Sequence, residues 1–264
     1  MGDANTSRLT GVAYRASGIL LALALWQAFT SSGILGAQFS HGFSPANTVR
    51  ELVGFLTGGA FLHNAVPSLF RVGVGLAIAA AIGIPLGILV GYFGRLNLLT
   101  NTVFQFIRMT SPLAWMPVAV ILFGVGSRPV YFLIAVAAVW PIVINTAHGV
   151  RSVNPVWVRV VRMLGGNQVA VLRRAIVPAI IPDMITGLRI SIGISWIILV
   201  PAEMLGVSSG LGYYILDTRD RFNYGELMAV ILVVGFLGSV SDSLVRFVQR
   251  RLSWRGDVEH GLTF

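Results

Sequence analysis

The 264-residue sequence contains neither cysteine nor lysine. Without cysteine it has no disulfide, no thiol nucleophile and no thiolate-held metal. Without lysine it has no Walker A phosphate loop, which needs that residue after its glycines, and no Schiff-base chemistry. All nineteen basic residues are therefore arginine, and charge of either sign is scarce at 11% of residues. The four histidines, His41, His63, His148 and His260, are scattered, none at the i,i+4 spacing of a helical zinc pair. These absences point away from covalent chemistry: no catalytic residue, metal or cofactor of the chain's own is expected.

What remains is apolar. With 55% hydrophobic residues and a mean hydropathy of +0.80, the chain lacks the polar surface a soluble globule of this length needs. Six runs are long enough to cross a hydrocarbon layer of roughly 30 Å: 17–35, 67–92, 98–124, 130–150, 183–205 and 227–249. Backbone groups in lipid must be satisfied internally, and the short alternating segments of a barrel are absent, so an all-α integral membrane protein of six transmembrane helices is expected, as one domain over 1–264. A signal peptide is the other reading of the first run. Its length, Trp26 and Gln27, and the lack of a clear small-x-small cleavage site argue against it.

The net charge of +9 does not indicate nucleic acid, because position decides its meaning. If the spans alternate, twelve arginines fall on one side: Arg8, Arg15, Arg95, Arg151, Arg159, Arg162, Arg173, Arg174, Arg246, Arg250, Arg251 and Arg255. Arg50, Arg71, Arg128, Arg219 and Arg221 fall on or near the other, and Arg108 and Arg189 lie within or near span ends. By the positive-inside rule the rich side is cytoplasmic, with both termini there.

Between the first two spans, Ser44-Pro45 is a cap followed by a first-turn proline, and Val49, Leu52, Val53 and Leu56 recur at helical spacing until Gly58-Gly59. This predicts an amphipathic helix over 45–57 on the external interface. The second span carries Gly75, Ala79, Gly83, Gly87 and Gly91, a small-xxx-small ladder that lets helices approach closely. Four residues overshoot a 3.6-residue turn, so a crossing contact is expected, not a parallel seam; packing within the chain and a subunit interface both fit it.

Prolines interrupt four spans, at Pro85, Pro112 with Pro117, Pro141 and Pro201, each freeing one carbonyl. The pair in SPLAWMP, beside Trp115 and after Arg108, marks either a plain kink or a solute pathway. The fifth span repeats small residues at Gly187, Ser191 and Ser195 and embeds Glu203 near its outer end. An ionisable group in a span is a functional candidate by default. Arg189 lies roughly 21 Å away along the helix and cannot pair with it, so both residues snorkelling to opposite interfaces is the plainer reading. Met109, Ser111, Trp115, Trp140, Ser195, Trp196 and Glu203 are the pathway candidates, with Arg108.

The segment 154–178 is too polar to span and too regular for a loop. Asn154-Pro155 starts a helix with Val156, Val160, Met163 and Leu164 as one apolar edge and Arg159 and Arg162 on another; Gly165-Gly166 stops it. Asn167 caps a second helix over 168–176 that Pro178 should end. Such an elbow transmits a push from a cytoplasmic partner into the spans, or else rests on anionic headgroups.

The register G-x(12)-P of Gly165 and Pro178 resembles the cytoplasmic loop of binding-protein-dependent ABC importer permeases. SPANTVRELV, SLFRVGVGLAIAAAIGIPLGILVGYFG, PLAWMPVAVILFGVG and PDMITGLRISIGISWIILVPAEML are similar, in order, to the nitrate/sulfonate/taurine type. The motif's opening acid and two alanines are Arg159, Val160 and Val161 here, and its later Ile and Leu are Ala175 and Val177, which puts in doubt a salt bridge through the missing acid. The resemblance implies a type I importer fold in the bacterial cytoplasmic (inner) membrane, and a coupling helix between spans four and five made by Arg159, Val160, Met163, Leu164, Gly165, Gly166 and Asn167. It also implies a second permease subunit, two ATPases holding ATP and Mg, and an external binding protein delivering a small anion of the nitrate, bicarbonate, taurine or sulfonate class.

Two rivals remain. A self-sufficient transporter or channel would usually show paired intramembrane carboxylates or repeat halves, and neither is evident. An intramembrane enzyme would need clustered acids or histidines; Asp217, Asp220 and Glu226 do cluster, but read better as a solvated loop or, for Asp217 and Asp220, a docking surface for the binding protein.

Overall fold

The computed structural model describes residues 3–32 and 37–252, and every described element is helical. In chain order these are α1 (Asp3–Ser31), α2 (Ala37–Gly42), α3 (Pro45–Thr57), α4 (Ala60–Tyr92), α5 (Gly94–Met109), α6 (Met116–Phe123), α7 (Ser127–Ser152), α8 (Pro155–Met163), α9 (Gln168–Val171), α10 (Val177–Gly206), α11 (Leu211–Asp220) and α12 (Tyr224–Leu252). Among the described residues, four uninterrupted helical stretches are long and apolar enough to cross a membrane: Ala60–Tyr92, Ser127–Ser152, Gln168–Gly206 and Tyr224–Arg251. The apolar part of α1, Ser17–Ser31, is shorter. Of the arginines assigned to the cytoplasmic side, Arg255 lies outside the described residues, as does His260.

The third run is not one helix, contrary to the sequence expectation. α5 ends at Met109, Thr110 and Ser111 are extended (ψ 127° and 125°), Pro112–Trp115 forms a 3₁₀ turn, and α6 follows. Pro112 forces Ser111 out of the helical region, and the ring of Pro117 fits only in the first turn of a new helix. Pro85, Pro141 and Pro201 lie inside continuous helices and break nothing.

The chain forms two compact units. One comprises the residues before Asn64 with Tyr214–Val233. In it α3 starts where Ser44 Oγ accepts the Asn47 N–H (3.3 Å). Phe55 is buried and packs on Tyr214 (ring centroids 5.2 Å), Thr48 is buried beside it on the inward side, and Val49, Val53 and Leu56 face outward. The apolar stripe read from the sequence is thus the exposed one, as suits an interfacial helix.

The second unit holds Asn64–Tyr213 and the residues from Val234 onward, and α7 is its centre. A Cβ placed on Gly75, Gly83, Gly87 or Gly91 would come 2.5–3.0 Å from Ile134, Ile142, Thr146 and Val150 respectively. The offset is the same in every pair, so α4 and α7 run in the same direction and stay in register over about 24 Å. This corrects the expected crossing contact. α7 carries its own four-residue row, Ile134, Ala138, Ile142, Thr146 and Val150, and a shared repeat longer than 3.6 residues persists if the pair winds right-handed, which cancels the drift. On its other side α7 meets α10 antiparallel: Gly149 lies against Asp183, Gly187 against Pro141 and Ile142, and Ser191 Oγ donates to the Ala138 carbonyl (2.6 Å). The part of α12 beyond Val234 runs antiparallel to α10, through Gly238 beneath Trp196 and Gln249 bonded to Thr186.

Candidate coupling segment and translocation groove

α8 begins where Asn154 Oδ1 accepts the Val156 N–H (2.9 Å), with Pro155 in the first turn. It ends in a full Schellman closure: the Gly165 N–H donates to Arg162 O (3.0 Å) and the Gly166 N–H to Val161 O (2.9 Å). Gly165 sits at φ +78°, a conformation that favours glycine. Val158 and Val161 pack onto a core of Val150, Val171, Ile176 and Ile180. The opposite edge stays bare: Val156 and Val160 are exposed, and Met163 and Leu164 are 84% and 83% exposed.

After the elbow, Asn167 Oδ1 accepts the Ala170 N–H (2.9 Å) and a helix begins. Pro178 does not end it, contrary to the sequence expectation. Leu172–Ile176 makes a π turn in which the Val177 N–H reaches back to the Leu172 carbonyl, and the helix continues unbroken from Gln168 to Gly206. The wider turn accommodates the proline ring, which would clash with a carbonyl four residues back in regular α geometry. The second arm of the elbow is therefore the end of the fifth span itself, a 39-residue rod of about 58 Å.

Among the pathway candidates, the structure brings Arg108 and Trp140 together. Both line a cavity of about 190 Å³ between α5 and α7 that Gln105 and Arg151 also border, and both line a second of about 390 Å³ toward Asn145 and Ile198. Trp140 stacks at a tilt on Phe104 (5.3 Å). Met109, Ser111 and Trp115 are exposed around the break after α5 and border neither cavity. Ser195 is buried and donates to Ser191 O (2.7 Å), and Trp196 is buried against α12 with its indole N–H unpaired.

Glu203 is neither at an interface nor in an open groove. It is fully buried and paired with Arg71 at 2.6 Å, Arg71 itself being only 4% exposed. Ser68 Oγ (2.9 Å) and the Gly212 N–H (2.9 Å) donate to the same carboxylate. Arg71 also donates to Ser209 O (2.6 Å), Ser209 Oγ (3.0 Å) and Ser127 Oγ (3.1 Å), and Asn64 Oδ1 accepts the Gly210 N–H (3.1 Å). Four segments are thereby fastened around one ion pair. Arg189, likewise, does not snorkel alone: it pairs with Asp242 (2.7 Å), which also takes Arg246 (2.8 Å). Sequence reasoning tested Glu203 only against Arg189. Arg71 was the available signal, since it enters span two at the same end at which Glu203 leaves span five.

Asp220 is exposed and Asp217 half-buried, paired with Arg219 and Arg221 respectively at 2.8 Å each. Beside them Tyr214 donates to Glu226, and burial together with that carboxylate pushes the Tyr214 phenol up, so it stays a donor at neutral pH.

The profile of the binding-protein-dependent transport system inner membrane component family matches residues 83–254. The chain belongs to that family of ABC importer permeases. It is 37% identical over 252 residues to a bicarbonate transport system permease protein of Synechococcus elongatus, covering 92% of this chain and 90% of the relative. A putative aliphatic sulfonates transport permease protein of Bacillus subtilis is 33% identical over 241 residues (90% and 86%), and a nitrate import permease protein of Leptolyngbya laminosa 37% over 185 (70% and 66%). In fold, the permease resembles a chain of the inward-facing MetNI methionine ABC transporter, with a TM-score of 0.59 at 14% identity, over 71% of this chain and 93% of the other. An amino acid ABC transporter chain gives 0.56 at 14%, over 78% and 96%. The permease is thus an inner-membrane transport component, not an enzyme.

Proposed function

We propose that this permease forms half of the translocation path of an ATP-driven importer for a small anion. Bicarbonate, nitrate and sulfonate, named for its relatives, share a single charge on a compact oxygen head, and the same class is assigned to this chain. A second copy completes a two-fold path. Two cytoplasmic ATPases hold ATP and Mg, because the lysine-free chain has no phosphate loop of its own. An external binding protein docks on the face carrying Asp217 and Asp220. Each copy crosses the membrane six times, α1 and the broken α5–α6 pair supplying the first and third crossings, with both termini cytoplasmic.

The observation that carries this reading is the α8 elbow. Val160, Met163 and Leu164 offer an apolar edge to a partner, Arg159 and Arg162 flank it, and Gly165, Gly166 and Asn167 fix its angle to a rod running into span five. ATP-driven approach of the ATPases moves both elbows, and α10 carries that movement to the α5–α7 groove lined by Arg108 and Trp140. Met109, Ser111 and Trp115 form the side of the path where the helix is broken; Ser195, Trp196 and Glu203 hold α10 to its neighbours.

The test uses the complete complex in liposomes. Replacing Met163 and Leu164 together by Asp is expected to reduce ATP-driven import and binding-protein-stimulated ATP hydrolysis at least tenfold, the loss of two interface anchors. Wild-type import by that variant, or import by the permease alone without ATP, overturns the reading.

A further inference from the structure

We propose that Arg108 and Arg151 form a two-arginine transit site for a small oxyanion in the groove between α5 and α7. Four arginines fall within the six apolar runs, and three of them have acids: Arg71 holds Glu203, while Arg189 and Arg246 share Asp242. The Arg108 side chain has no hydrogen bond or ion pair among the described residues, and neither does that of Arg151, one residue beyond its run. An unpaired guanidinium in a span is costly, and such groups face water-filled paths or ligands. Both line the same cavity of about 190 Å³.

The rest of that lining suits a planar or tetrahedral oxyanion. Gln105 adds an amide, and the tilted Phe104 and Trp140 rings wall the site. The guanidinium fork matches two oxygens at once, which a point charge cannot do. Arg108 also borders the second cavity with Asn145, so the two lie end to end along α7 from Val136 to Arg151, about 22 Å. An anion leaving Arg108 therefore meets a second charge before the helix ends. Stations that each bind weakly in series are what passage requires.

This inference rests on the importer reading above. Labelled nitrate, bicarbonate and methanesulfonate are supplied separately, with the binding protein, to the complete complex in liposomes under ATP. Arg108→Gln and Arg151→Gln are each expected to slow import of the transported anion about tenfold, the loss of one charge-assisted contact. Arg108→Lys, which keeps the charge but not the fork, is expected to recover only part of that loss, importing about threefold more slowly than wild type, and all variants to co-purify with the ATPases. The loss is expected equally in liposomes with and without phosphatidylglycerol. Wild-type rates in both Gln variants overturn the site. A loss seen only with phosphatidylglycerol overturns it too, since the arginines then hold lipid headgroups. If the wild-type complex imports none of the three anions, the fault lies in the importer reading, and the site falls with it.

Discussion

α10 is tied by two ion pairs, Glu203 to Arg71 at 2.6 Å near its C-terminal end and Arg189 to Asp242 at 2.7 Å near its middle. The distances are alike and the surroundings are not. At the Glu203 end both side chains are nearly inaccessible, and serines, one backbone amide and a carbonyl satisfy what the charges leave over. At Asp242 the partners are 39% and 28% exposed, and Arg246 competes for the same carboxylate. Separation alone therefore says little about worth. A dry pair with all its hydrogen bonds made is an all-or-none fastening; a wet one yields gradually to water and salt.

The comparison breaks hardest at Glu203. Glu203→Ala strands the Arg71 charge in a dry site and is expected to cost about 3–5 kcal/mol, read as a lowered unfolding midpoint of the purified permease. Replacing Arg71 and Glu203 together by Met removes both charges and should recover most of that loss. Equal stability of the single and double variants would mean that the dry pair is not a unit. Next comes Gly210→Ala. Gly210 sits at φ +113°, and a Cβ there would lie 2.5 Å from Arg71 Nη1 and from the Glu203 carboxylate, so about 2–3 kcal/mol is expected from backbone strain and a displaced pair. The smallest effect belongs to the wet pair. Asp242→Asn should cost about 0.5–1 kcal/mol, after allowance for solvent screening, and less in high salt. A larger or salt-independent loss would erase the contrast between the two pairs.

Local chemistry was the most legible part of the sequence. Ser44-Pro45, Asn154-Pro155 and the Gly165-Gly166 stop act through neighbours a few residues away, and each helix end they mark is present. What escaped depends on distant partners. Arg71 and Glu203 are 132 residues apart, and no local pattern joins them. The small-residue row on α4 was visible, but its persistence along α7 depends on the matching row there, a property of the pair. Val49, Val53 and Leu56 were correctly apolar, yet membrane reverses the usual inference: an apolar stripe at a lipid boundary turns outward, and Phe55 packs inward instead. Arg108 and Trp140 could be suspected from the proline-rich break, whereas Arg151 could not, because it reads as one more positive charge after a span.

The π turn at Leu172–Ile176 has a geometric corollary. It holds one residue more than an α turn, so it shifts the azimuth of everything before it by about 100° relative to the membrane part of the rod. Gln168, the glycines and α8 thus point where a regular helix of the same sequence length would not aim them. Reach is set by how many residues the rod contains, but bearing is set by this one surplus residue: a deletion that closes the π turn to an α turn would leave α8 on its present bearing, whereas a deletion elsewhere in the rod would swing it by about 100° while shortening the rod by only about 1.5 Å.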